Sequence, residues 1–213
     1  MYSSQKSHRP LYYAAILFIS VIITIMMIWN STHPLKTIPL KSPKIQAVID
    51  SAIEQTGVTT SYDPSYVRIP YPDGDVASNT GVCSDVVIRA FRKAGVDLQV
   101  KVHEDMSANF AVYPHQWGLT RPDSSIDHRR VPNLMTYFKR QGKSVPITLN
   151  AADYHPGDVV AWDFGSGKTH IGLISNRRNP KTSRFLIVHN AGMGTRLEDR
   201  MFDWPIIGHY RHL

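Results

Sequence analysis

Three kinds of hydrophobic pattern divide the chain. The first is a continuous run: Leu11–Ile28 reads LYYAAILFISVIITIMMI, with no charge, and Trp29 closes it. About 20 apolar residues in helical form cross a bilayer core, so Leu11–Trp29 predicts a single transmembrane helix. Tyr12, Tyr13 and Trp29 stand at its ends, where amphipathic aromatics favour the interface. A cleaved signal peptide has a shorter apolar stretch and small residues at its cleavage site. Here the run ends in Met-Met-Ile-Trp-Asn, so an uncleaved signal anchor is expected after a short tail, residues 1–10. Residues 30–42 are polar and interrupted by Pro34 and Pro39, which predicts a linker.

The second pattern has the helical period. Ile45, Val48, Ile49, Ala52 and Ile53 form one apolar stripe, preceded by Ser42 as a cap and Pro43 in the first turn and stopped by Gly57. Val86, Val87, Ala90, Phe91 and Ala94 form another, ended by Gly95, and counting back places Cys83 in the first turn of that helix. A shorter helix is expected over 132–141, between Pro132 and Gly142. Residues 61–82 are rich in Pro and Gly and predict a loop. Residues 103–130 carry few periodic signals and predict an insertion of the kind that is often functional or mobile.

The third pattern is short and β-branched. Val159–Phe164, His170–Ser175 and Arg184–Asn190 predict consecutive antiparallel strands, separated by Gly165-Ser-Gly and by residues 176–183. Helices first and strands later predict an α+β domain over 43–213, with the helices packed on one face of the sheet.

Charge narrows the function classes. The formal net charge is +7, but residues 1–49 hold five Lys/Arg and no Asp or Glu, which leaves 19 basic against 17 acidic residues for 50–213. The basic excess belongs to the membrane-flanking segment, so no nucleic-acid partner is expected. Lys6 and Arg9 precede the apolar run while Lys36, Lys41 and Lys44 follow it, a balance that does not fix orientation.

Cys83 is the single cysteine, which excludes an intrachain disulfide. It is either a small buried hydrophobe or a nucleophile. A helix N-terminus stabilises an anion, which favours a thiolate there and an oxyanion beside it, with backbone donors around Cys83 and Ser84. His170 begins a strand after a glycine-rich hairpin and is suited to take the thiol proton, with Gly172 leaving room beside it. Strand pairing brings either His189 or Asn190 beside His170 as the orienting group, but not both, because neighbours on a strand face opposite sides. No HExxH motif, His-x-His pair or Cys pair has metal-ligand spacing, so neither metal nor cofactor is expected.

Gly-Val-Cys83-Ser-Asp-Val-Val, running on to Lys-Ala-Gly, resembles the cysteine helix of NlpC-type cell-wall peptidases. Pro156-Gly-Asp-Val-Val-Ala-Trp, His170-Ile-Gly-Leu-Ile and Val188-His189-Asn resemble three strands of that family, and Tyr71 resembles the tyrosine upstream of its nucleophile. The whole of residues 43–213, and Ile126-Asp-His-Arg-Arg-Val-Pro-Asn-Leu134 in particular, resembles the bacterial group known as domain of unknown function 1287. The resemblance implies a papain-like fold, a Cys83–His170–His189 triad assisted by Tyr71, and a substrate in the peptide stems of peptidoglycan. Two positions depart from it: Val82 stands where the peptidases have Asp, and Asp85 where they have Gly. Asp85 either lines the cleft or favours the helix N-terminus electrostatically. Arg129 and Arg130 are candidates for binding a stem carboxylate.

These readings lead to a thiol-dependent peptidase or amidase anchored in the inner membrane, with its domain on the extracytoplasmic side. Transfer of the acyl group by the same residues and a binding module whose chemistry has lapsed are the alternatives.

Overall fold

A computed structural model describes Val21 and residues 35–213. The chain divides into two compact units, residues 1–36 and 37–213. The expected anchor at 11–29 lies, apart from Val21, outside the described residues. Among the described residues no helix is long and apolar enough to cross a membrane.

The second unit begins beside the sheet: the Ile38 N–H donates to the Asn176 carbonyl at 2.9 Å, so the expected linker is already tied down at that point. Helix α1, Pro43–Glu54, follows, with the Ser42 hydroxyl accepting from the Ile45 N–H. Helix α2 is Cys83–Lys93, α3 Leu98–Ala108 and α4 Val131–Arg140. Five strands then run β1 Val159–Gly165, β2 Lys168–Arg178, β3 Phe185–Asn190, β4 Thr195–Glu198 and β5 Ile206–Tyr210. They lie in the order β4-β3-β2-β1-β5 with antiparallel pairing throughout. The fold is α+β, as the order of patterns predicted.

The period-two alternation sorts the strands onto two faces. Val159, Ala161, Ile171, Leu173 and Val188 pack against Val86, Val87, Ala90 and Phe91 of α2 and against α3 and α4. Val160, Trp162, Ile174 and Ile187 form a second cluster with Tyr154 and Met201. That second face is therefore covered too, by the segments around β1 and before β5. At the β1–β2 hairpin Gly165, Ser166 and Gly167 all have positive φ, 82°, 53° and 75°, and glycine supplies two of these at no steric cost.

Three elements depart from the sequence expectation. Helix α3 fills the start of what reads as an aperiodic insertion. Asp97 caps it, and Leu98, Val102 and Met106 are its buried row. One residue in four is too thin a stripe to register against His103, Lys101 and Glu104. Strands β4 and β5 are short and mix glycine and charge with few β-branched residues, so neither shows a clean alternation.

Asp158, at the foot of β1, ties the C-terminus to the sheet. Its carboxylate accepts from Arg211 at 2.8 and 2.7 Å and from His209 at 2.8 Å, and it is 1 % exposed. Burial alone would raise its pKa, but these bonds outweigh burial and hold it below the ordinary value. Asp158→Asn is expected to cost about 3 kcal/mol in urea unfolding at neutral pH, the low end for a broken buried pair because Arg211 can turn to water. A depressed carboxylate contributes above its unfolded pKa and loses that contribution as pH falls through its folded one. The gap between wild type and variant should therefore narrow as pH drops below about 4.

Candidate active site

The first turn of α2 is built around a carboxylate. Val82 is the N-cap and has no polar side chain. Asp85, three residues on, supplies the reach: its Oδ2 accepts from the Val82 N–H at 2.7 Å. The same carboxylate receives Arg129 in a fork, Nε to Oδ1 at 2.8 Å and Nη2 to Oδ2 at 2.9 Å. The Ser84 hydroxyl donates to the Arg129 carbonyl at 2.6 Å. Of the two roles considered for Asp85, the helix terminus is the one it occupies. Arg129 is 5 % exposed with its charge spent on Asp85, so it is an internal strut and not a free carboxylate receptor. Ser84 is fully buried and turned to Arg129, which leaves only its backbone N–H toward the thiol.

The Cys83 thiol is 4 % exposed, and burial pushes it up to about 12. The Ile171 N–H favours its anion, Asp85 opposes it, and the N–H groups of Ser84 and Cys83 again favour it. The Ile171 contact sets the sulfur beside β2, one residue along the strand from His170.

His170 pairs across the hairpin with Trp162. Its ring stacks on Phe164, centroids 4.3 Å apart, and meets Trp204 edge-on at 6.1 Å. Its Nε2 lies 2.8 Å from His189 Nδ1, which leaves Nδ1 as its other basic position. Burial, then His189, pushes His170 down to about 3. Gly172 permits this approach: a Cβ there would stand 2.9 Å from Ile187 Cγ2 and 3.1 Å from His189 Cβ. Between the two candidates for the orienting group, the strand turns His189 to His170. Asn190 faces the other way, where its Nδ2 donates to the Ser61 and Gly81 carbonyls and ties β3 to the loop preceding the thiol.

Above Cys83 opens a cleft of about 430 Å³ lined by Tyr62, Tyr66, Trp117, Arg130, Pro132 and Thr169, among others. Tyr62 lies against the sulfur, and burial followed by Cys83 pushes its phenol up to about 12. Tyr71 does not reach this cleft: it is 43 % exposed and packs edge-on to His103, with centroids 5.0 Å apart. The tyrosine beside the Cys83 sulfur is thus Tyr62. It sits in Thr-Ser-Tyr-Asp-Pro, a loop with no periodicity to single it out, and only its contact with Cys83 reveals it. Arg130 keeps one bond to Asp127, 3.2 Å, and lies 4.2 Å over the Trp117 ring, with its remaining donors at the cleft wall. A larger cavity of about 500 Å³ between α1 and α2 is lined by Gln55, Arg89 and Lys93 and holds neither cysteine nor histidine. Among the described residues no group of three or more His, Cys, Asp or Glu could hold a metal ion.

Because Arg129 is buried against Asp85, Arg129→Ala leaves a carboxylate without its partner. It is expected to lower unfolding stability by about 3–5 kcal/mol, read as the urea midpoint. A midpoint at the wild-type value would show the pair to be dispensable.

Comparison with known proteins places the chain in a family. An uncharacterized protein from Escherichia coli (strain K12), YijF, is 49 % identical over 189 residues, which is 85 % of this chain and 92 % of that one. Among solved structures, NlpC1 from Trichomonas vaginalis aligns with a TM-score of 0.41 at 13 % identity over 83 % of this chain and 46 % of its own. A Staphylococcus aureus (subsp. aureus Mu50) protein described as similar to lipoprotein, NLP/P60 family, aligns at 0.40 and 12 % identity over 83 % and 43 %. This chain thus spans less than half the length of either. The profile described as Domain of unknown function (DUF1287) matches residues 49–212, and the chain belongs to that family.

Proposed function

We propose that the protein is a thiol-dependent peptidase or amidase of papain-like type, with Cys83 as nucleophile and His170 as its base. One observation carries the reading: the Cys83 sulfur, at a helix N-terminus and under a cleft, is ringed by backbone N–H groups one residue from a histidine already oriented by a second.

Burial disfavours both the lone thiolate and the lone imidazolium, so the resting pair is neutral. In the proposed course, His170 Nδ1 takes the Sγ proton as sulfur attacks the amide carbonyl carbon. The carbonyl oxygen gains the electron pair and is met by backbone N–H donors of the helix terminus and by the Tyr62 hydroxyl. Collapse of that adduct breaks the C–N bond, and the proton on His170 leaves with the amine. Water, deprotonated by the same nitrogen, then hydrolyses the thioester.

The substrate assigned is a peptide stem of peptidoglycan, with Arg130 reading a stem carboxylate. The anchor at 11–29 would hold the domain on the extracytoplasmic face of the inner membrane. A binding module with lapsed chemistry is the second reading, favoured by Tyr62 lying over a thiol that burial keeps protonated.

The test compares the full chain with its Cys83→Ala variant on purified peptidoglycan and on stem peptides, reading products by mass spectrometry. New fragments from the wild type alone are expected and name the bond. No products from a folded wild type would favour the module. Arg130→Gln, which keeps a bond to Asp127 but removes the charge, should raise KM for carboxylate-bearing stems about tenfold with kcat retained. A variant that still prefers carboxylate over carboxamide stems would remove Arg130 from recognition.

A further inference from the structure

Behind His189 stands a group that the sequence does not single out. Strand β4 pairs with β3 so that Glu198 faces Ile187 and Arg196 faces His189. Ile187 and His189 share a face, so Glu198 is the diagonal neighbour of His189 on it. Glu198 Oε2 lies 3.2 Å from His189 Nε2. The three side chains therefore form a line: carboxylate, imidazole, imidazole.

We infer that Glu198 is a positioning residue that sets the proton arrangement of both histidines and so makes His170 a base at the nitrogen left for Cys83. The argument is one of donors and acceptors. An ionised carboxylate only accepts, so His189 must carry its proton on Nε2. A neutral imidazole has one N–H, so His189 Nδ1 is then a lone pair. The 2.8 Å contact between the rings needs one donor, and that must be His170 Nε2–H. His170 Nδ1 is in turn left with a lone pair, the form that can take a proton from sulfur. Reversing the chain puts a proton on His170 Nδ1 and leaves no base at that nitrogen. Without Glu198 the two arrangements are related only by shifting protons along the same pair of rings.

The surroundings fit a carboxylate held for this purpose. Arg200 Nε lies 3.6 Å from the same Oε2 and is itself drawn toward Asp203 at 3.1 Å. Arg196, opposite His189, turns its Nε to the Met193 carbonyl. Burial lowers the His189 pKa, Glu198 is the largest influence opposing it, Arg200 lowers it further and Asp203 raises it. Glu198 borders a pocket of about 300 Å³ floored by His189 and walled by Phe164 and Trp204, the two rings that also pack on His170.

The inference rests on the Cys83–His170 reading, but its test needs no substrate. Long-range ¹H–¹⁵N spectra of the histidine-labelled full chain report which ring nitrogen carries the proton. His170→Gln and His189→Gln variants assign the two rings. In the wild type both rings should show Nε2–H alone. Glu198→Ala should give a mixture of both tautomers at both rings, and Glu198→Gln, which retains an acceptor oxygen, should restore most of the wild-type pattern. With a cleaved stem peptide, Glu198→Ala should lower kcat about tenfold to a hundredfold at unchanged KM. Spectra of Glu198→Ala in which both rings keep the single Nε2–H form would overturn the assignment. If no substrate is turned over while the tautomers shift as described, the positioning role stands and the peptidase reading alone fails.

Discussion

The site depends on where one buried carboxylate points. Asp85 closes the first turn of α2 through the Val82 N–H and holds Arg129 in a two-pronged bond. Val82 cannot cap a helix with its own side chain, so without Asp85 the first turn would lose a partner for a buried N–H. Without Arg129 the carboxylate would be an unpaired buried charge. The Arg129 carbonyl then receives Ser84, the residue after Cys83. The thiol's position thus follows from a loop some forty residues downstream as much as from its own helix. This also accounts for the departure in the cysteine motif. Asp85, where the peptidases have glycine, and Arg129, in the Asp-His-Arg-Arg stretch, are two halves of one interaction.

The second constraint is the burial of both Cys83 and His170. Taking a thiol and an imidazole out of water together favours both neutral forms, which is the direction found at Cys83 and His170. Such a pair is not a standing ion pair. It suits a step in which the proton crosses as the sulfur bonds to carbon, because the charge then arises only where donors already wait. The aromatic cover of Phe164 and Trp204 over His170 serves the same end by keeping water from the ring.

Much of this was legible in the sequence because it is carried by period. The stripes of α1 and α2, the three alternating strands, and Cys83 at a helix start all follow from spacing. The choice of His189 over Asn190 did not: either parity satisfies the alternation, and only the bonds of Asn190 to Ser61 and Gly81 decide it. Arg129 and Arg130 read alike, as adjacent cations before a proline, and both border the cleft, yet one is held in a fork by Asp85 and the other keeps a single bond to Asp127. The difference lies in a partner far away in the chain, which local pattern does not encode. Tyr62 and Glu198 were missed for the same reason. One sits in an aperiodic loop and the other on a four-residue strand, and each has meaning only through what it touches.

The sheet explains how such distant parts meet. Ile171 and Leu173 turn toward α2, so His170 and Gly172, by strand parity, turn to the opposite face. Cys83 arrives from the helical side and meets β2 at the Ile171 N–H, a backbone group in the plane of the sheet. The histidines approach from the other side, under aromatic cover. The sulfur is thus fixed at Ile171 and the imidazole at His170, adjacent positions of one strand. Glu198, one strand further out, reaches His170 only through His189 and does not border the cleft above Cys83.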